Sequence, residues 1–221
     1  MKRQKYIEIY IELHTKARLG ITDDKRKAAL LNDDRLTTLQ RLATVKIMPK
    51  QQLTDFQNQL AKMQSCFAMT SQDLENSPTC PYCSFRPSQE TSKIAAGQMI
   101  DQLDEKLDAL LANWTKTILE NLEDPITLAN LDLLKNDERK TLDDFIDTKN
   151  LPEPLDIDFV NALQEALSGL VKVSVNFDDL HTTIAGGGGP ATPDELKKRF
   201  MEYIDKLTRG KDPAKVRMIF D

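Results

Sequence analysis

"SPTCPYCSFRP", residues 77–87, places two thiols at the spacing Cys80-x-x-Cys83. That spacing serves either a redox dithiol or a metal ion, and the two chemistries require different folds. A thiol oxidoreductase sets its dithiol directly after a buried strand and at the start of a helix, whose dipole lowers the attacking thiol's pKa. Here the preceding residues, "TSQDLENSPT", are polar and turn-like, and Pro87 obstructs a helix beginning at the motif. Cys66, fourteen positions upstream of Cys80, has no role in a dithiol. The stretch therefore points away from a redox α/β fold and toward a metal-binding turn inserted among helices.

The flanking sequence is helical. Tyr6, Ile9, Tyr10, Leu13 and Ala17 recur at three- and four-residue steps, which predicts a helix ending before Gly20. Thr22 is the expected N-cap of a second helix, with Ala28, Leu31, Leu36, Leu39 and Leu42 as its stripe and Pro49 as its stop. Leu53, Phe56, Leu60 and Met63 predict a third helix reaching Cys66. The short connections imply antiparallel packing. Thr70 is the expected cap of "SQDLEN". From near Ser92, Ile94, Met99, Leu103, Leu107, Leu110, Leu111 and Trp114 predict one long helix, a coiled-coil arm returning along the bundle.

These helices supply a third and a fourth ligand. A Cys-x-x-Cys turn offers a zinc ion two thiolates, and two tetrahedral positions remain to be filled. At about 1.5 Å per residue, an unbroken helix over 23–46 followed by one over 50–66 leaves Cys66 roughly 10 Å below the first turn, and His14 lies about 9 Å below it. The expected site is thus His14, Cys66, Cys80 and Cys83, a structural zinc site that staples the turn onto the bundle. The competing reading makes Cys66 a buried small apolar residue and His14 a surface one. His181 is expected in a loop or on the surface.

Further along, Asp124-Pro125 opens a helix through Leu134, another covers 137–147, and "LPEPLDID" (151–158) is a proline-punctuated linker. The expected domains are 1–150 and 151–221. In the second, Phe159 to Leu170 is helical, and "VKVSVNF" alternates Val171, Val173, Val175 and Phe177 as a half-buried strand does. "AGGGGP" is a flexible turn, Pro193 to Leu207 an amphipathic helix, and Val216, Met218 and Phe220 alternate again. These two alternating stretches are expected to pair. The fold class is mainly α: an antiparallel helical bundle with a zinc-knuckle-like insertion and a long helix, plus a small α+β element with a two-stranded sheet.

With 221 residues, 40% of them apolar, the chain can build a modest core. No apolar run approaches the ~20 residues of a membrane span, and "MKRQKYIEIYIELHTKAR" interleaves charges where a signal peptide would be apolar. A cytoplasmic location and no membrane partner are expected. The net charge of −5 is unevenly spread: residues 1–48 hold eleven Lys/Arg against six Asp/Glu, residues 101–165 six against seventeen. Such segments either complement each other, within or between chains, or leave the basic end free for nucleic acid.

No catalytic constellation emerges. "AGGGGPAT" lacks the lysine and hydroxyl of a phosphate-binding loop. "RGKDP" (209–213) lacks the strand and glycine frame, and reads as a helix end with Gly210 as its cap. Asp101, Asp104, Glu105 and Asp108 are expected on an exposed acidic face, and the carboxylates of "EDPITLANLDLLKNDERKTLDDF" likewise fall on solvent faces.

The succession "YIEIYIELHTKARLGITDDKRKAALLNDDRLTTLQRL", "CFAMTSQDLENSPTCPYCSFRP" and "TPDELKKRFMEYIDKLTRGKDPAKVRMIF" resembles the C-terminal region of large bacterial P-loop ATPase-like proteins of BREX-type phage defence, a family otherwise described as a domain of unknown function. The resemblance spans nearly the whole chain. It implies a helical segment of a defence ATPase in which His14, Cys66, Cys80 and Cys83 form the cysteine/histidine pattern. The nucleotide-binding motifs of that family lie far upstream, and none is present here, so ATP hydrolysis does not carry over. The expected function is a non-catalytic structural and interaction module, with the upstream ATPase region or other defence-complex subunits as partners. The alternative is a nucleic-acid-binding module using the knuckle and the basic helices; only Tyr82, Phe85 and Arg86 supply aromatic-basic interleaving there.

Overall fold

The computed structural model describes residues 2–90, 93–169, 171–186, 189–213 and 215–220. The expected helix start near Ser92, the helix end at Leu170, and Gly187 and Gly188 of the glycine turn lie outside the described residues. The chain is mainly helical, with one short two-stranded parallel sheet among the described residues. It divides into two compact units, residues 1–44 with 48–114 and residues 45–47 with 115–221. The proline-punctuated stretch 151–158 runs within the second. No helix among the described residues is long and apolar enough to cross a membrane.

In the first unit, α1 (Lys2–Ala17) buries Ile7, Tyr10 and His14, with Arg18 following one turn on. This face is displaced from the expected stripe, and Tyr6 and Ile9 are about half exposed. The reason is chemical: the buried face carries an imidazole and a guanidinium, which apolar periodicity does not register. The single helix expected over 23–46 is two, α2 (Ile21–Leu31) and α3 (Asp34–Leu42). Asp33 breaks it, because its carboxylate accepts the Arg35 amide at 2.8 Å and caps a new helix. Gly20, not Thr22, is the N-cap of α2.

α4 (Lys50–Lys62) buries Leu53, Phe56 and Leu60 as its stripe requires. It stops four residues before Cys66, so that cysteine lies in an extended segment and not at a helix end. α5 (Ser71–Asn76) starts at Thr70 with a reciprocal capping box to Asp73. α6 (Ala96–Leu122), whose residues through Trp114 belong to this unit, buries Ile100, Leu103, Leu107, Leu110 and Trp114 along one face. The carboxylates that flank this face meet α2 and α3: Arg26 pairs with Asp101, and Arg35 bridges Asp33, Asp104 at 2.7 Å and Asp108 at 2.6 Å. Asp101, Asp104 and Asp108 of the expected acidic face are thus partly exposed ion-pair partners within this unit.

In the second unit, α7 (Pro125–Leu131) is capped by Asp124, and α8 (Asn136–Thr148) packs on α9 (Ile157–Ala166) through an edge-to-face contact of Phe145 and Phe159, centroids 5.3 Å apart. β1 (Val171–Val175) pairs in parallel with β2 (Val216–Phe220), Val171 opposite Val216 through Val175 opposite Phe220. The connection contains α10 (Phe177–Ala185) and α11 (Pro193–Thr208), which pack together. Phe177, expected in the strand, instead opens α10, since Asn176 caps the Asp178 and Asp179 amides. His181 lies exposed on α10. Thr192 and Glu195 form the capping box of α11, and Gly210 adopts φ +77° just past its end.

Candidate metal centre

Two segments converge on the buried face of α1. The first is held by backbone pairing: Leu19 and Ser65 form an isolated parallel bridge, in which the Leu19 amide donates to Gln64 O at 3.0 Å and the Cys66 amide to Leu19 O at 3.3 Å. Ser65 donates to the Asp24 carboxylate, and Lys27 donates to Met63 O at 2.6 Å. Cys66 is thereby brought to the end of α1, next to the turn of the helix that carries His14. This pairing, and not the helix heights used above, sets its position.

The second segment is the turn over 77–87. Ser84 takes the left-handed conformation at φ 52°, and its amide donates to Cys80 O at 2.9 Å, folding Cys80 and Cys83 toward the same side. The Tyr10 hydroxyl anchors this turn. It accepts from the Cys80 amide at 2.8 Å and donates to Phe85 O at 2.5 Å. Phe85 is buried edge-on against Tyr10 and His14, with centroids 5.5 and 5.6 Å away, whereas Tyr82 is exposed. Tyr6 and Arg3 add bonds to Pro78 O and Glu75 O. Ile7, Tyr10, Leu74, Cys80 and Phe85 form a small apolar cluster, against which Cys66 and Cys83 pack.

The outcome is that one potential ligand atom from each of His14, Cys66, Cys80 and Cys83 lies within 4.8 Å of all the others, a group that can hold a metal ion. His14 Nε2 is 3.3 Å from Cys83 Sγ, and Cys66 Sγ is 3.7 Å from Cys80 Sγ. A disulfide needs about 2.05 Å, and all three cysteines are free. Four ligands around zinc, with Zn–S of about 2.3 Å, stand about 3.8 Å apart along a tetrahedral edge. The Cys66–Cys80 separation is close to that spacing, the His14–Cys83 separation is shorter, and the whole group stays within 4.8 Å. His14 and Cys80 are buried, and Cys66 and Cys83 half-buried.

The surroundings set different proton affinities. Burial, then the Arg18 charge, lowers the His14 pKa, which keeps the imidazole neutral and able to ligate. Burial and the neighbouring thiols push Cys66 up to about 11. Burial also works to raise Cys83, but the adjacent Arg18 guanidinium and the Phe85 amide outweigh it and hold that thiol below its ordinary value. Burial raises the Tyr10 phenol and keeps it a neutral donor. Arg18 was not legible as part of this site. Its one available signal is the spacing 7, 10, 14, 18, which continues the buried face of α1.

Residues 22–113 match the family model described as "Family of unknown function (DUF6079) 6th domain". The matched segment holds the three cysteines and stops one residue short of the end of the first unit; it does not include His14 or Arg18. No curated protein and no solved structure matches the chain.

Proposed function

We propose that the chain is a non-catalytic structural and protein-interaction module whose antiparallel helical bundle is stapled by one structural zinc ion in a Cys3His knuckle, and that it works as part of a large phage-defence ATPase. The observation that carries the zinc reading is the convergence of four ligand atoms within 4.8 Å from three separate segments. Three thiolates and an imidazole fill a tetrahedral shell and leave no open position for a substrate, which is the donor set of a structural ion and not of a catalytic one. The ATPase context is supported by the resemblance of the three quoted segments, with the upstream ATPase region or other defence-complex subunits as the binding partners. Among basic side chains, Arg26 and Arg35 are engaged by carboxylates of α6, which favours a protein partner over nucleic acid.

Elemental analysis of the purified chain tests the metal: one zinc per chain is expected, lost in Cys80→Ser and Cys83→Ser and weakened in His14→Ala. A folded wild-type chain that takes up no zinc refutes the reading. Pull-down by the upstream ATPase region, repeated at about 0.15 M and 1 M salt, tests the partner. A protein interface holds across that range, while binding that occurs only to nucleic acid and collapses with salt supports the alternative.

A further inference from the structure

Arg18 lies one turn beyond His14, and its amide donates to His14 O at 2.9 Å. Only 6% of the residue is exposed, so its charge must be satisfied internally. Part of that is visible: Nη1 bonds Glu90 at 2.5 Å, and the guanidinium lies over the Phe85 ring, 5.1 Å from its centroid. The remainder is not. Nε and Nη2 are buried without a hydrogen-bond partner, in a group that adjoins Cys83. Glu90 is 40% exposed, so water shares in balancing its charge.

The ligand set has a complementary deficit. A dication bound by three thiolates and a neutral imidazole carries one net negative charge, and sulfur ligands in a buried site are steadied by N–H donors around them. Resting on the reading of His14, Cys66, Cys80 and Cys83 as a metal site, we propose that Arg18 is its positioning residue: the buried guanidinium balances the anionic Cys3His shell and turns its free N–H groups to the Cys83 sulfur. Phe85 beneath the plane and Glu90 at one edge fix the fork, leaving the other edge for sulfur. A lysine offers charge but no planar fork and no such stacking.

Cobalt(II) titration of the reduced, metal-free full chain against a competing chelator tests this, because thiolate-to-cobalt absorption reports on the sulfurs directly. Wild type is expected to bind one equivalent with that absorption. Arg18→Met, similar in length but uncharged, is expected to bind about 10–100-fold more weakly with a shifted band. Arg18→Lys should recover affinity to within about tenfold of wild type yet keep the shifted band, and it carries the test where the methionine variant does not fold. A variant of either kind with wild-type affinity and wild-type band overturns the proposal, even if its unfolding midpoint falls. A wild-type chain without thiolate-to-cobalt absorption overturns the metal reading itself.

Discussion

Tyr10→Phe removes one oxygen and changes almost nothing else. The phenyl ring keeps its packing against Phe85 and His14, so no cavity opens and the loss is purely polar. What disappears is the junction at which the Cys80 amide donates at 2.8 Å and the Phe85 carbonyl accepts at 2.5 Å. Tyr10 is 1% exposed and both neighbouring residues are equally buried, so the amide and the carbonyl are left without water or protein partners. Each stranded group costs about 1–3 kcal/mol, which gives roughly 2–6 kcal/mol for the pair. The chain's single tryptophan, Trp114, is buried in the same unit, so its fluorescence during urea unfolding of the metal-free chain reads that loss. An unchanged m-value would show that the denatured state is the same. A Tyr10→Phe chain within about 0.5 kcal/mol of wild type, below the range for stranded buried groups, refutes the account of this hydroxyl as the anchor of the turn.

Other expectations follow from single contacts. Because burial and Arg18 lower the His14 pKa from 6.5, the unfolded metal-free chain binds a proton there before the folded one does. Its stability should therefore fall as pH drops below about 6.5 toward the lowered folded value and be insensitive above about 7.5. Urea titrations across that range check it, and His14→Gln should flatten the slope. Arg35→Leu strands three carboxylates around one site and should cost about 1 kcal/mol at low salt, with the difference shrinking near 1 M NaCl, measured by the same unfolding assay. Thr192→Ala breaks the capping box of α11 and should cost about 1 kcal/mol, seen as a lowered midpoint by circular dichroism.

The parts of the fold that sequence makes legible are those where chemistry is local. Thr70 and Asp124 announce their helices because each side-chain oxygen has a backbone amide two or three residues away to accept from. The stripe of α4 is legible because apolar residues alone occupy its buried face. The break at Asp33 escapes that reading, since the apolar spacing of Leu36, Leu39 and Leu42 continues in register with residues before it, and only the carboxylate's preference for a cap reveals the stop. α10 is hidden in the same way behind Asn176. The grouping of His14, Cys66, Cys80 and Cys83 is legible from the Cys-x-x-Cys spacing and from scarcity, as the chain has three cysteines and two histidines. The bridge between Leu19 and Ser65 that delivers Cys66 is nonlocal, and no periodicity encodes it. Arg18 was obscured because a buried cation is read from sequence as a surface residue.

The parallel ladder of β1 and β2 has a consequence for synthesis. Every rung joins residues 45 positions apart, from Val171 with Val216 to Val175 with Phe220. At about 5–20 residues per second, a ribosome leaves β1 without its partner for roughly 2–9 seconds. During that interval α10 and α11 already possess their own caps, whereas the amides of β1 and its inward Val173 and Val175 form an adhesive edge. The helices can therefore form before the sheet, whose pairing waits for closure of the long crossover. A nascent chain stalled before Val216 would be the species most in need of a chaperone.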